Sequence, residues 1–414
     1  MAFSSFGAGN AKKLARLPLY GLGRLVTLVT PRGPQWVFGC GAGIADGALA
    51  AWREARARGI DAVWLTSTPE EAHDADEAGI PSVPKMSWRG FLATARARVA
   101  VVTHGFGDVN PYAVSGAFVA QLWHGIPLKR IGLDAPEMVR SAFLPNSALV
   151  RGLIAWMYRR SAQRIGLIPA ASHLVRGRLE SAFGIPDARV AVTGEPRVDV
   201  LSRGTASERR SAAQALLDRV APELRGERHL LLYAPTWRDG DPDPAVPSRD
   251  EWRAIVELLE RRDAVLVVRS HRLGEGDYAP PIATERVVGL GSDVLADVTP
   301  ALPAFDALIT DYSSLAYDAA LVPLPALFLA PDIADYDRRR GFYGAYADVA
   351  GPDVPTTWGA LVPEIDRFLG QDEERERRTA RARAISARVH AFRDGENTHR
   401  VLDEILRRIG ETRP

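Results

Sequence analysis

Two histidines in this chain stand just past runs of strand-forming residues. His124 follows Phe118-Val-Ala-Gln-Leu122 and precedes Gly125-Ile-Pro127, a turn with little side-chain bulk. His271 closes a second apolar run in Val267-Val-Arg-Ser-His-Arg272. An imidazole can take or give a proton near neutral pH, so each half of the chain holds one candidate general acid or base. For His124 the competing reading is a buried structural histidine. A third segment, Asp311-Tyr-Ser-Ser314, lies between the run Ala307-Leu-Ile-Thr310 and a helical stretch starting at Ser314. Such a turn aims backbone N–H groups and the positive end of a helix dipole at a bound anion, and two hydroxyls suit a phosphate. A serine placed there can equally be a simple helix cap. Asp311 and Asp318 have no further carboxylate or histidine near them at ligand spacing, so no metal site is expected.

The elements that must position these residues alternate between strand and helix patterns, which predicts parallel sheets. In the first half, 35–39, 62–66, 99–103, 118–122, 165–168 and 190–193 read as strands, with helices near 47–58 and 172–183. In the second half, 229–233, 264–268, 286–289, 307–310 and 326–329 repeat the theme, with helices near 250–261 and 314–321. Chemistry in such folds gathers at the carboxyl ends of the strands, where these histidines and serines fall. Two halves facing each other across a cleft is the simplest architecture that uses both histidines.

A length of 414 residues suits two domains. The 52 basic and 51 acidic residues leave a net charge of +1, so no global field recruits nucleic acid. Only Lys12, Lys13, Lys85 and Lys129 are lysines, and the arginine and alanine richness reads as coding bias. The single Cys40 excludes an internal disulfide and a cysteine metal cage, and fits a reducing compartment. No apolar stretch approaches the ~20 residues that span a bilayer. The leader carries Lys12, Lys13, Arg16, Arg24 and Arg32 without an acidic residue, interleaved with Leu14, Leu17, Leu19, Tyr20, Leu22, Leu25, Val26 and Leu28. A loosely packed basic leader and a segment drawn to anionic lipid both fit that pattern. A cleaved signal peptide fits it poorly, because Pro18, Gly21, Gly23 and Arg24 interrupt the apolar run.

Six blocks, in order, carry a family resemblance. They are Trp123-His-Gly-Ile-Pro-Leu-Lys129, Gly194-Glu-Pro-Arg-Val-Asp199, Leu232-Tyr-Ala-Pro-Thr-Trp-Arg-Asp239, Arg269-Ser-His271, Thr310-Asp-Tyr-Ser-Ser314, and Asp335-Tyr336 followed by Arg340-Gly-Phe-Tyr343. Together they resemble the CDP-glycerol glycerophosphotransferase family of wall teichoic acid and capsule synthesis. The resemblance implies an α/β, GT-B-like fold: two Rossmann-type domains facing across a cleft, with C-terminal helices. The residue pattern, with its boundary near 201–207 where Ser-Arg-Gly-Thr-Ala-Ser follows the last strand of the first half, gives a basic amphipathic leader (1–32), an N-terminal domain (33–205), a C-terminal domain (206–370) and terminal helices (371–414); the resemblance makes the first domain the acceptor domain and the second the CDP-donor domain.

The resemblance also assigns roles. It makes His124 the general base on the acceptor hydroxyl and His271 a second essential histidine near the donor phosphates. Ser313, Ser314, Asp311, Thr236, Arg238, Arg269 and Arg340 fall to donor binding, and Lys129 and Gly125 to the acceptor or its phosphate. No tightly bound cofactor is implied. The expected partners are CDP-glycerol or a similar CDP-polyol as donor, a lipid-linked glycan or polymer as acceptor, and the anionic inner face of the cell membrane. The chain departs from the family pattern at Arg272, where proline is usual, and at Glu195. A nucleotide-sugar glycosyltransferase on the same fold is the alternative enzyme, and a catalytically dead scaffold the alternative outside enzymes.

Overall fold

The computed structural model describes residues 17–135, 147–236, 238, 243–269 and 278–410. The chain forms two compact units: one holds residues up to Ile126, Arg130–Asp199 and the segment from Asp394 onward, the other Pro127–Lys129 and Val200–Arg393.

In the first unit the strands are β1 (Trp36–Gly39), β2 (Ala62–Thr66), β3 (Ser82–Pro84), β4 (Val99–Val102), β5 (Phe118–Gln121), β6 (Ile165–Ala170) and β7 (Val190–Val192). They form one sheet in the order β3-β2-β1-β4-β5-β6-β7, with every pairing parallel. Parallel strands are covered on both faces, and β4, with its Val-Ala-Val-Val run, is buried throughout. Trp36, Phe38, Trp64 and Val101 pack with Ala48, Ala51 and Trp52 of the helix Asp46–Ala57. Strand β3 is absent from the sequence reading because it has three residues and ends in Pro84; proline is tolerated here because β3 is the edge strand.

The second unit contains β8 (His229–Ala234), β9 (Ala264–Val268), β10 (Val287–Gly289), β11 (Ala307–Thr310) and β12 (Ala326–Phe328), in the order β10-β9-β8-β11-β12. All four pairings are again parallel. The helix Arg249–Arg261 opens with a capping box between Ser248 and Glu251. It buries Trp252, Ile255 and Leu259 against Leu231, Tyr233, Leu266 and Ile309, beside Leu361, Ile365 and Phe368 of the helix Trp358–Gly370.

The terminal helices part company. Asp372–Val389 belongs to the second unit, whereas Asn397–Arg408 buries Val401, Leu402, Ile405 and Leu406 in the core of the first. In both sheets the strand order reverses once, between β1 and β4 and between β8 and β11. Loops diverge above such a reversal and leave a crevice at the carboxyl ends of the strands.

Candidate active site

Strands β4 and β5 pair with Val102 opposite Gln121, so the loops that follow them leave the sheet side by side. His124 comes from the second of these loops, and the first delivers His104, which the sequence reading did not weigh. Their rings stack with centroids 4.5 Å apart and planes 6° from parallel. On the chain-neighbour side the Trp123 ring lies 4.1 Å from His124, and it sets its edge against Phe183 at 5.2 Å. Trp123 has φ +63, a left-handed backbone that bulky residues rarely adopt. Gly125 continues the turn at φ +125, where a side chain would be strained.

The loop after β4 is tied down from within. One oxygen of the buried Asp108 carboxylate accepts the backbone N–H groups of Thr103 at 2.9 Å, His104 at 2.7 Å and Gly105 at 3.3 Å. Gln121 Nε2 donates to the Thr103 carbonyl at 2.6 Å, which links the ends of β5 and β4. Cys40, at the end of β1, lies 3.0 Å from Thr103 Oγ1. Burial, and then the Asp46 charge, push its thiol well up, so it stays protonated and is no nucleophile.

At the reversal point of the second sheet, β8 leads into Thr236 and Arg238 and β11 into Asp311. Asp311 Oδ1 accepts the backbone N–H groups of Thr236 at 2.8 Å and Tyr312 at 2.6 Å, and Oδ2 accepts from Arg238 Nη1 at 3.0 Å. Arg238 closes a two-bond fork on Asp332, Nε to Oδ2 and Nη2 to Oδ1, both 2.8 Å. Burial alone would lower the guanidinium, but Asp332 and Asp311 hold it above its ordinary value. Burial would likewise raise Asp332, yet its bonds to Arg238 bring it below the usual carboxylate range. For Asp311 burial prevails and moves its carboxyl upward. The group nonetheless only accepts, from two N–H groups and a guanidinium, which is the bonding of the ionised form.

Aromatic rings wall this network. Tyr312 stacks on Tyr336 at 4.1 Å, Phe342 on Tyr346 at 5.1 Å, and the Arg238 guanidinium sits 5.0 Å from the Tyr312 ring centre. Tyr312 donates its hydroxyl to Asp332 at 3.0 Å, and Tyr346 donates to the Asp311 carbonyl at 3.0 Å. Lys129 Nζ lies 6.0 Å from the Tyr336 ring centre, and its backbone bridges to Phe342. Arg340 ends the helix Ile333–Arg339 beside these rings.

Asp311, Thr236, Arg238 and Lys129 therefore come together around one network, with Ser313 and Ser314 on the turn that leaves it. Ser314 occupies the cap position of the short helix Leu315–Ala319 but makes no capping bond, while Ser313 Oγ accepts the Leu315 N–H at 3.2 Å. Thr236 Oγ1 is buried beside Asp311, and its side chain helps to hold that carboxyl down. Arg269 is engaged elsewhere. Its guanidinium donates to the carbonyls of Leu290 at 3.3 Å, Leu295 at 2.7 Å and Ala296 at 3.0 Å, holding the loop after β10. His271 lies outside the described residues. Asp332 was missed although it follows β12 as His124 follows β5, and that position was its only signal.

Two parallel α/β units, each with polar side chains at the carboxyl ends of the strands that flank its reversal point, define a GT-B-like fold. The chain belongs to the CDP-Glycerol:Poly(glycerophosphate) glycerophosphotransferase family, whose model matches residues 44–407. It is 25% identical over 346 residues to the teichoic acid glycerol-phosphate transferase of Staphylococcus aureus, covering 81% of this chain and 82% of that protein. It is 29% identical over 297 residues to the teichoic acid poly(glycerol phosphate) polymerase of Bacillus subtilis, covering 68% of this chain but only 36% of the polymerase. A solved structure of the wall teichoic acid polymerase TagF superposes with a TM-score of 0.75 at 22% identity, covering 97% of this chain and 96% of that one.

Proposed function

We propose that this protein transfers glycerol phosphate, or a related polyol phosphate, from a CDP-activated donor to a hydroxyl of a growing teichoic acid or capsule polymer or a lipid-linked glycan, releasing CMP. The observation that carries the reading is the family match over residues 44–407.

In this reaction the acceptor oxygen attacks the phosphorus of the transferred group, its proton passes to His124, and the bond from that phosphorus to the CMP oxygen breaks. A neutral imidazole suits the base role, because a hydroxyl must shed its proton as the new O–P bond forms. Charge grows on the phosphate oxygens and on the departing CMP, and fixed donors and cations stabilise it. Ser313, Ser314 and Thr236 supply hydroxyls for the donor, each at the carboxyl end of β8 or β11. Asp311 and Arg238 serve the donor by holding the two loops that carry those hydroxyls, since their own charges already engage each other and Asp332. We assign Arg269 to the loop after β10 and His271 to the donor phosphates. Lys129 and Arg340 add positive charge, and Gly125 leaves room beside His124 for the acceptor.

The protein acts as a peripheral enzyme on the inner face of the cell membrane. Supporting this, the helix Leu17–Val29 exposes Leu22, Leu25 and Leu28 beside Arg24, and the helix Ala148–Ala162 exposes Leu149, Leu153 and Trp156 beside Arg151, Arg159 and Arg160. Basic residues interleaved with exposed apolar ones bind anionic interfaces. Among the described residues no helix is long and apolar enough to cross a membrane.

Product analysis with CDP-glycerol, CDP-ribitol and UDP-glucose tests the reaction. The proposal expects CMP release with a CDP-polyol, dependent on acceptor. UDP release from UDP-glucose with no CMP from either CDP-polyol would replace it with a sugar transfer.

A further inference from the structure

We infer that His104 is a positioning residue for the transfer: its ring, held in one plane and one tautomer, is the platform that fixes the orientation of His124. The inference rests on the reading of His124 as the base and assigns a role to a residue outside the six sequence blocks.

The platform is built from the ends of the two strands at the reversal point of the first sheet, β1 and β4, and of β5 beside them. Cys40 and Gly41 follow β1, Thr103 and His104 follow β4, and His124 follows β5. His104 Nδ1 receives the Gly41 backbone N–H at 3.2 Å. That group can only donate, so Nδ1 offers its lone pair and Nε2 carries the hydrogen. Thr103 Oγ1 lies 2.8 Å from the same nitrogen. The backbone N–H of His104 is fixed on Asp108 at 2.7 Å, so the base of the side chain is held as well as its ring.

The approach of Gly41 depends on its lacking a side chain, since a Cβ there would stand 2.8 Å from His104 Cγ. With the ring so fixed, its face meets the face of His124 at 4.5 Å and 6°. The Trp123 ring, 4.1 Å away and tilted by 35°, limits His124 from its other contact. The titratable groups that face His104 among the described residues are His124, the Cys40 thiol at 4.0 Å from Nδ1, and the Asp108 carboxylate under its backbone. A proton acceptor works only when its nitrogen is aimed within a fraction of an ångström of the attacking hydroxyl, and a flat platform supplies that aim.

Three variants and one spectrum test this. His104→Ala is expected to lower kcat by about 10- to 100-fold with the KM for CDP-glycerol unchanged, because misaligning a base harms the step and not the binding. His104→Phe, which keeps a flat ring, is expected to recover most of that loss. Gly41→Ala, which pushes the His104 ring away, is expected to reproduce the alanine phenotype. Nitrogen-15 spectra of the histidine-labelled wild-type protein are expected to show His104 with its hydrogen on Nε2 and its Nδ1 as an acceptor, whether or not any variant folds. A hydrogen on Nδ1, or wild-type kcat in folded His104→Ala, would overturn the role. His124→Ala in the same assays separates the two ideas: if it is inactive while His104→Ala is normal, the platform alone fails, and if His124→Ala is itself normal, the base assignment fails.

Discussion

Arg238 and Asp332 form a charge pair to which the proposed function gives the task of holding the donor loops rather than the donor itself. The Arg238 side chain is 7% exposed and Asp332 24%, so each depends on the other for the solvation it has lost. Replacing Asp332 by asparagine leaves the guanidinium with Asp311 as its one carboxylate partner among the described residues and is expected to cost roughly 3 kcal/mol, read as a lower urea midpoint at unchanged slope. If Asp332→Asn instead kept full stability and lost only donor affinity, Arg238 would be a direct ligand. Thr236→Val and Ser313→Ala with Ser314→Ala make the complementary case. Their hydroxyls are assigned to the donor, so CDP-glycerol affinity is expected to fall by at least about tenfold, since a lost charge-assisted bond is worth about 1.5–3 kcal/mol. Thermal stability should fall by no more than the one bond that Ser313 Oγ accepts from the Leu315 N–H, about 1 kcal/mol, because Ser314 makes no capping bond. A fall in Tm with donor affinity intact would return the serines to the helix.

At this scale the sequence showed which residues could do chemistry but not how they are grouped. Asp311 and Ser313 were legible because a strand pattern runs straight into them. His104 and Asp332 occupy the same kind of position, yet what makes them matter is which strand end lies beside theirs. That depends on the sheet orders β1-β4-β5 and β8-β11-β12, which no local pattern encodes.

Among the elements, the helix Asn397–Arg408 is the clearest case of a placement set by a distant residue. Asp199 accepts the backbone N–H groups of Asn397 at 2.9 Å and Thr398 at 2.8 Å, and the Thr398 hydroxyl at 2.6 Å, and so caps a helix almost two hundred residues later in the chain. Helical spacing in the charge-rich tail predicted the helix, but this buried cap, the apolar stripe Val401–Leu402–Ile405–Leu406 and bonds such as Arg408 Nη1 to the Gly166 carbonyl direct it to the first sheet. Asp199→Ala is expected to cost about 2–3 kcal/mol, because it strands buried donors, and to speed hydrogen exchange in that helix before the rest of the unit. Unchanged exchange there would deny the cap its role. Nearby, Arg400 forks onto Asp394 at 2.9 and 2.7 Å, and this hydrogen bonding holds the carboxyl down to about 2. A depressed folded-state value means the pair contributes stability above about pH 4, the unfolded value, and loses it as pH falls toward about 2. Thermal melts across that window should fall less steeply in Asp394→Asn than in wild type. Parallel slopes would show that the pair contributes nothing.

For the molecule as a whole, the net charge of +1 hides a local imbalance, the basic leader, on which the proposed membrane association rests. The leader carries five cations in sequence, Arg24 and the arginines of the helix Ala148–Ala162 adjoin exposed leucines, and each cation near an anionic surface is worth roughly 1 kcal/mol. Co-sedimentation with phosphatidylglycerol vesicles is expected to be strong at low salt and to fall as salt screens the charges. Replacing Lys12, Lys13, Arg16, Arg24 and Arg32 together should release the protein from the vesicles while leaving turnover on a soluble acceptor analogue intact. Unchanged sedimentation of that variant would remove the leader from the membrane role.

The central claim is that His124 takes the acceptor proton while the donor is held by other residues. Paired measurement of CMP release and of CDP-glycerol binding by calorimetry, on wild type and His124→Ala, tests it most directly. The account predicts turnover lower by roughly 10²–10⁴ with the donor Kd nearly unchanged, because the lost interaction exists mainly in the transition state. Near-normal CMP release from a folded His124→Ala protein would contradict it.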